Sequence, residues 1–146
     1  MGFHANTYRF AAEERLREAH SAHEQKSFVL AHYLSGVAVE CMFRAYLARN
    51  KRPFDARHDL RKLSKSSGFE DDVPESGSAA IFSALAELRA RWKNSHRYSD
   101  LKDLNAFVRT IEWDRKIKGD RVKYSSARAL ASAGVLVNMG VKLWKP

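Results

Sequence analysis

The stretch Phe28–Ala48, FVLAHYLSGVAVECMFRAYLA, decides the fold of this chain. Sixteen of its 21 residues are apolar. A helix built from it is apolar nearly all round, as the central helix of a bundle should be. Of the five exceptions, His32, Gly36, Glu40 and Arg44 recur every four residues and so share one seam, with Ser35 beside it. An isolated carboxylate in such a helix costs several kcal/mol or takes up a proton, so Glu40 calls for a partner. The simplest partner is Arg44, one turn on, worth only a few tenths of a kcal/mol if exposed. A residue from another segment fits a buried helix better. Gly36 costs about 1 kcal/mol relative to Ala inside a helix, which points to something approaching closely there.

Outward from this helix the pattern stays helical. Toward the N-terminus, TYRFAAEERLREAHSAHEQ has Tyr8, Ala11, Ala12, Leu16, Ala19 and His23 on one face, with Asn6 or Thr7 as a cap. Toward the C-terminus, Pro53 disfavours helix at Arg52 and stops the central element. FDARHDLRKLSKSSGF then reads as a short helix capped by Asp55, with Leu60 and Leu63 inward and Gly68 closing it. EDDVPESGS is a loop by composition. Ser76 or Ser78 can cap the next helix, whose inner face is Ile81, Leu85, Leu88 and Trp92. After RWKNSHRYS, Ser99 opens DLKDLNAFVRTIEW, expected to bury Leu101, Leu104, Phe107, Val108 and Ile111. Ile117–Asp120 is a turn signal, and the last helix carries small residues at Ala127, Ala131, Gly134 and Asn138. They let a second helix come close, from the bundle or from a second protomer. Period-two alternation is lacking. The expected fold is all-α: one domain over 1–146, an up-and-down bundle of four to five main helices plus a short one.

Composition bounds the partners. With 26 basic and 17 acidic residues the net charge is +9, which favours an anionic partner such as nucleic acid or a nucleotide. A run of seven Arg/Lys against two Asp from Arg49 to Lys65 forms a basic shoulder, or simply a solvated surface. The single cysteine, Cys41, excludes an intrachain disulfide and a cysteine-rich metal set, and its apolar helix makes it a small core residue. A reducing cytoplasm is the expected location. Glu40 and Arg44 inside the apolar stretch argue against a membrane span, although its length would serve.

The richest chemistry lies in Arg91–Ser99, where Arg91, Lys93, Asn94, His96 and Arg97 fall within seven residues. Arginine can fork onto phosphate oxygens, and histidine can exchange protons near neutral pH. Together they could cleave RNA without metal: a base takes the 2′-OH proton while Arg stabilises charge on the phosphate. The plainer alternative has Arg97 paired with Glu40, Tyr98 packed and His96 in a solvated loop. His58-Asp59 is a capping or packing pair more readily than a metal pair, and His20 and His23 lack zinc partners. No glycine-rich phosphate loop, nucleophile elbow or catalytic carboxylate pair is present. Neither a metal nor another cofactor is expected.

AHYLSGVAVECMFRAYL, followed by RHDLRKL and WKNSHRYS, resembles the HEPN domain, the helical family named for higher eukaryotes and prokaryotes nucleotide binding. The resemblance runs from about Arg9 through the last helix. It implies a helical bundle, commonly a homodimer. Many members are metal-independent endoribonucleases of toxin–antitoxin or phage-defence systems, with a possible antitoxin or nucleotidyltransferase partner. By that resemblance Arg91 would contact phosphate and His96 transfer the proton, as the catalytic pair. Glu40, Lys93, Asn94, Arg97 and Tyr98 would bind or support. Arg97-Tyr98 also matches an element of noncatalytic members, which bind nucleotides or partner proteins. Endoribonuclease and noncatalytic binding module both follow, and a pure interaction protein is a third reading. Glu40 is expected to meet Arg97, or else Arg91.

Overall fold

Phe28–Arg49 forms one unbroken helix, α2, and the other elements are arranged round it. The structure, a computed structural model, describes residues 3–111 and 119–144. α1 (Ala5–Glu24) precedes α2, and the short α3 (Leu60–Ser66) and α4 (Phe69–Asp72) follow it. Next come α5 (Glu75–Arg91), a 3-10 turn (Asn94–Tyr98), α6 (Leu101–Ile111) and α7 (Arg121–Leu143). The fold is all-α. Glu112, Trp113, Ile117 and Lys118, parts of two expected elements, lie outside the described residues.

The α1–α2 connection and the end of α2 use the same device. At each, a lysine takes a left-handed backbone (Lys26, φ 63°; Lys51, φ 53°), and the next residue's N–H reaches back five residues. Ser27 N–H donates to Ala22 O at 2.8 Å and Arg52 N–H to Leu47 O at 2.9 Å. α2 therefore stops at Arg49 on hydrogen-bond geometry, before Pro53 is reached. α1 folds back along α2, α7 covers another side, and α5 packs on α7. α6 lies against α7 and approaches α5.

The core runs along α2. Val39, Met42, Phe43 and Tyr46 meet Phe69 from α4, Ile81, Leu85 and Leu88 from α5, and Leu136 and Val137 from α7. Each such side chain contributes roughly 1.5–3 kcal/mol on leaving water. Tyr46 donates its hydroxyl to Gly140 O at 2.7 Å, and burial pushes its phenol up to about 12. A smaller cluster, Leu104, Val108 and Val122, packs with Phe28, Val29 and Phe107 beside the start of α2. By length and composition α2 could cross a membrane, yet its buried face is filled by α1, α7 and the short elements, and no membrane role is indicated. Burial first, then the Glu40 charge, raises the Cys41 thiol to about 11, as suits a packed thiol rather than a nucleophile.

The inner faces of α3 and α5 are as expected, with Leu60, Leu63, Ile81, Leu85, Leu88 and Trp92 all buried. Leu101 is not: it stands 59% exposed at the start of α6, at the edge of a cleft. The caps also differ. α1 starts at Ala5 from His4 without a side-chain cap, and α5 starts at Glu75 directly after Pro74. Asp59, not Asp55, caps α3, accepting from Lys62 N–H at 3.1 Å. At α6, Asp100 rather than Ser99 accepts from Asp103 N–H at 2.8 Å.

Candidate functional site

The seam of α2 carries two polar clusters with a wall between them. The wall is Trp92. α5 ends at Arg91 because Trp92 turns extended (φ −113°, ψ 136°), which lays its indole across Gly36. A Cβ on Gly36 would lie 2.1 Å from the indole ring atoms, so only glycine admits this approach. The indole N–H donates to Tyr33 O at 2.9 Å, and the Tyr33 and Trp92 rings stack at 6.4 Å.

On the N-terminal side of this wall His32 is fully buried. Its Nε2 lies 3.0 Å from Ser125 Oγ of α7, and Arg91 Nη1 donates to the same oxygen at 3.2 Å. Ser125 Oγ thus accepts from Arg91 and shares a hydrogen bond with His32 Nε2 whose direction follows the His32 tautomer. Nδ1 is buried and has no hydrogen-bond partner among the described residues. Burial, aided by the His96 and Arg91 charges, pushes His32 down to about 3.

The 3-10 turn brings His96 to the same place. Its N–H bonds to Lys93 O at 3.0 Å, while Lys93 N–H donates to His96 Nδ1 at 3.2 Å. The ring is folded inward, edge-on to His32 at 5.4 Å and to Phe107 at 4.8 Å. Because Nδ1 accepts, the neutral ring carries its proton on Nε2. Burial first, then the Lys93 charge, lowers His96 to about 4, so it is uncharged at neutral pH.

Arg91 is 3% exposed. Its Nε donates to Glu87 Oε1 at 3.0 Å, and its guanidinium lies 5.5 Å from the Tyr124 ring centre. Glu87 also takes Arg128 Nε at 2.9 Å. Burial works to raise the Glu87 carboxyl, but the hydrogen bonds from Arg128 and Arg91 outweigh it and hold the group below its usual value.

On the C-terminal side of the wall the seam is charged. Glu40 meets neither Arg97 nor Arg91, contrary to the expectation from sequence. Arg44 Nε donates to Glu40 Oε2 at 3.0 Å, and His58 Nδ1 lies 2.9 and 3.0 Å from the two carboxylate oxygens. Arg44 also donates to Asp55 O at 2.5 Å and Arg57 O at 3.0 Å, which straps the 55–58 segment onto α2. Arg97 cannot serve because it sits on the exposed side of the turn, its guanidinium 4.6 Å from the Tyr98 ring centre.

Two clefts flank the turn and share no lining residue. The first, about 510 Å³, lies between the start of α2 (Phe28, Val29, Leu30, Tyr33) and His96, Arg97, Ser99 and Leu101, with Lys26 and Asp120 at its edge. The second, about 480 Å³, lies among Arg57, His58, Asp59, Arg89, Trp92, Lys93 and Asn94. The expected site residues are thus divided. His96 and Arg97 line the first cleft, Lys93 and Asn94 the second, Tyr98 is 75% exposed, and Arg91 lines neither. Arg91 and His96 make no direct hydrogen bond among the described residues; Ser125 and His32 connect them. Among the described residues no three or more His, Cys, Asp and Glu side chains are grouped to hold a metal ion.

Sequence reasoning missed Ser125 and gave His32 and His58 no role in the site. Their partners lie 93 and 18 residues away, so no local spacing announces them. The one available signal was that His32 shares the Glu40 seam. A family model described as "HEPN domain" matches residues 5–138. Neither the curated proteins nor the solved structures gave a match.

Proposed function

The chain belongs to the HEPN family, and on that premise we propose that it is an RNA- or nucleotide-binding module whose ligand sits in the cleft between the start of α2 and the 3-10 turn. The observation that carries this reading is the composition of that cleft. It joins apolar and aromatic walls (Phe28, Val29, Tyr33) to a cationic rim (Arg97, Lys26) and to His96, whose Nε2–H is a hydrogen-bond donor. Bases stack on aromatic faces while arginine and lysine meet the backbone, and Tyr98, exposed and 4.6 Å from the Arg97 guanidinium, adds a further aromatic face between two lining residues in the chain, Arg97 and Ser99.

The same geometry favours holding over cutting. Metal-free cleavage needs a histidine lone pair at the 2′-OH and an arginine on the phosphate. Here the His96 lone pair is occupied by Lys93 N–H, and Arg91 is buried against Glu87 and Ser125. One observation favours the endoribonuclease reading: Arg91 and His96 belong to one polar cluster through Ser125 and His32. Release of Arg91 from Glu87 by RNA or by a second copy would complete the Arg-x4-His pair. The toxin–antitoxin or defence role, with its antitoxin or nucleotidyltransferase partner, belongs to that second reading. A homodimer fits both. Ala127 and Ala131 lie on the exposed side of α7, and a Cβ on Gly134 would meet nothing within 4 Å.

Fluorescence anisotropy with labelled single-stranded RNA tests the first reading. Wild-type protein binds, and Arg97→Ala and Tyr98→Ala each weaken binding about tenfold, the scale of a lost stacking or charged contact. Gel analysis of the same RNA in chelator tests the second. Cleavage that vanishes in both His96→Ala and Arg91→Ala would establish cutting and overturn the holding role. Absence of both binding and cleavage would overturn both. Light scattering giving a strict monomer would remove the homodimer.

A further inference from the structure

Beside the charged end of the seam lies the second cleft, which the reading above leaves unused. What it can hold follows from what its polar groups offer. Arg57, Arg89 and Lys93 can only donate hydrogen bonds, and Asn94 can donate through its amide. Three acids lie close. Asp59 lines the cleft and turns Oδ1 to Lys62 N–H as the cap of α3, Asp55 grips Arg57 through two side-chain bonds (3.0 and 2.9 Å), and Glu40 holds Arg44 and His58. Arg89 has no carboxylate partner among the described residues, and the Lys93 ammonium lies over the Phe107 ring, 5.0 Å from its centre. Apart from Asp59, the polar lining is donors and positive charge, the complement of an oxyanion.

His58 is what distinguishes this pocket from an ordinary basic surface. Glu40 fixes Nδ1 from one side, and the imidazole side chain is 46% exposed, so Nε2 is the nitrogen left to a ligand. With Nδ1–H turned to Glu40, the neutral ring offers its Nε2 lone pair to the O–H of a hydrogen phosphate, and the imidazolium donates from both nitrogens, one to Glu40 and one outward. Arg44 anchors the carboxylate and also the carbonyls on either side of Ala56, so the orientation of the imidazole is built into the helix seam. A carboxylate that sets the tautomer and direction of a histidine facing a donor-lined cleft is a positioning device.

We propose that this cleft is a phosphate-binding site, with His58, Arg89 and Asn94 as its ligands, Arg57 at its rim and Glu40 as the positioning residue. It does not depend on the first cleft, with which it shares no lining residue.

The full chain, isotopically labelled, is titrated with inorganic phosphate at constant ionic strength held by chloride, and the His58 ring resonances are followed by NMR. They shift saturably with phosphate and with adenosine monophosphate, and adenosine leaves them in place. Arg89→Ala, on an exposed side chain, and His58→Asn each lower phosphate affinity about tenfold. Glu40→Gln changes the His58 ring-nitrogen signals before any ligand is added and weakens phosphate. Tighter binding of the mononucleotide than of inorganic phosphate assigns the site to a nucleotide, and still tighter binding of short single-stranded RNA assigns it to a polynucleotide backbone. A His58 ring unmoved by tens of millimolar phosphate overturns the proposal. So does a response to adenosine equal to that of its monophosphate, or one undiminished in Arg89→Ala. RNA binding with a silent His58 ring would leave the first cleft standing and remove this site alone.

Discussion

The two ends of the α2 seam hold a histidine in opposite ways. At the buried end, burial keeps His32 and His96 neutral, with His32 Nε2 against the Ser125 hydroxyl and His96 Nδ1 accepting a backbone N–H. At the charged end, His58 keeps its solvent exposure, and a carboxylate tied to an arginine sets its orientation. Residue type is shared; the environment differs. Desolvation yields a histidine that resists protonation, whereas an anchored carboxylate fixes which ring nitrogen faces the cleft. A histidine's sequence context therefore says less about its chemistry than the group touching its other nitrogen.

Acid should break this comparison first, with the largest effect. His32 and His96 lie well below the ordinary histidine value in the folded chain, at about 3 and about 4. Above about pH 6.5 both are neutral folded or unfolded, and their contribution to stability is complete. As pH falls from there, the unfolded chain takes up protons that the folded chain refuses. Stability drops by up to about 1.4 kcal/mol per pH unit for each histidine, until the folded value is reached. Glu87 and Asp55, both held below the usual carboxylate range, push the same way only at lower pH. Thermal melts between pH 7 and 4 should therefore fall steeply, and His96→Asn should reduce the slope by about half. A slope unchanged in that variant would remove His96 from the explanation.

Arg44→Met comes next, at about 3 kcal/mol in urea unfolding, because Glu40 loses its buried partner and two carbonyls lose their donors. The damage should stay at the charged end: His58 ring signals change while those of His32 and His96 hold. Gly36→Ala attacks the wall itself. The new methyl would overlap the Trp92 indole, a cost of roughly 1–3 kcal/mol offset by about 1 kcal/mol of helix propensity. A net loss near 1 kcal/mol, with a displaced Trp92 indole N–H resonance, is expected; a neutral variant with that resonance unmoved would show that the two ends are not tightly partitioned.

Much of this was legible in the sequence. Sixteen apolar residues in 21 fixed α2 as the bundle centre, and the four-residue spacing of His32, Gly36, Glu40 and Arg44 picked out the seam. Both signals are local, and a helix turns local spacing into a common face. Gly36 was rightly read as a place of close approach, since a bare Cα in a helix interior needs a reason. The partner of Glu40 was not legible. Arg97 matched it in charge, but the direction of a turn side chain depends on which backbone groups the turn satisfies, and the Asn94–Tyr98 turn spends them drawing His96 inward. Ser125 gave no warning either, because a serine among small residues acquires its role only from the helix packed opposite. The missed caps have the same origin: each depends on the path of the preceding loop, as at Pro74 and Asp59.

The smallest effect sharpens the comparison most. Asp59 holds the first turn of α3 through Lys62 N–H, directly after His58 in the chain. Loss of such a cap costs about 1 kcal/mol, and α3 has only seven residues over which to absorb it. Asp59→Ala should thus fray α3 and loosen the backbone that carries His58, while Arg44 still grips the carbonyls of Asp55 and Arg57. Amide exchange should quicken through α3 and remain slow around His32 and Ser125 in α2 and α7. Asp59→Asn keeps an acceptor for Lys62 N–H and should restore most of the protection. If Asp59→Ala quickened exchange equally at both ends of the seam, the charged end would not be an independent unit, and the contrast between the histidines would reduce to their exposure alone.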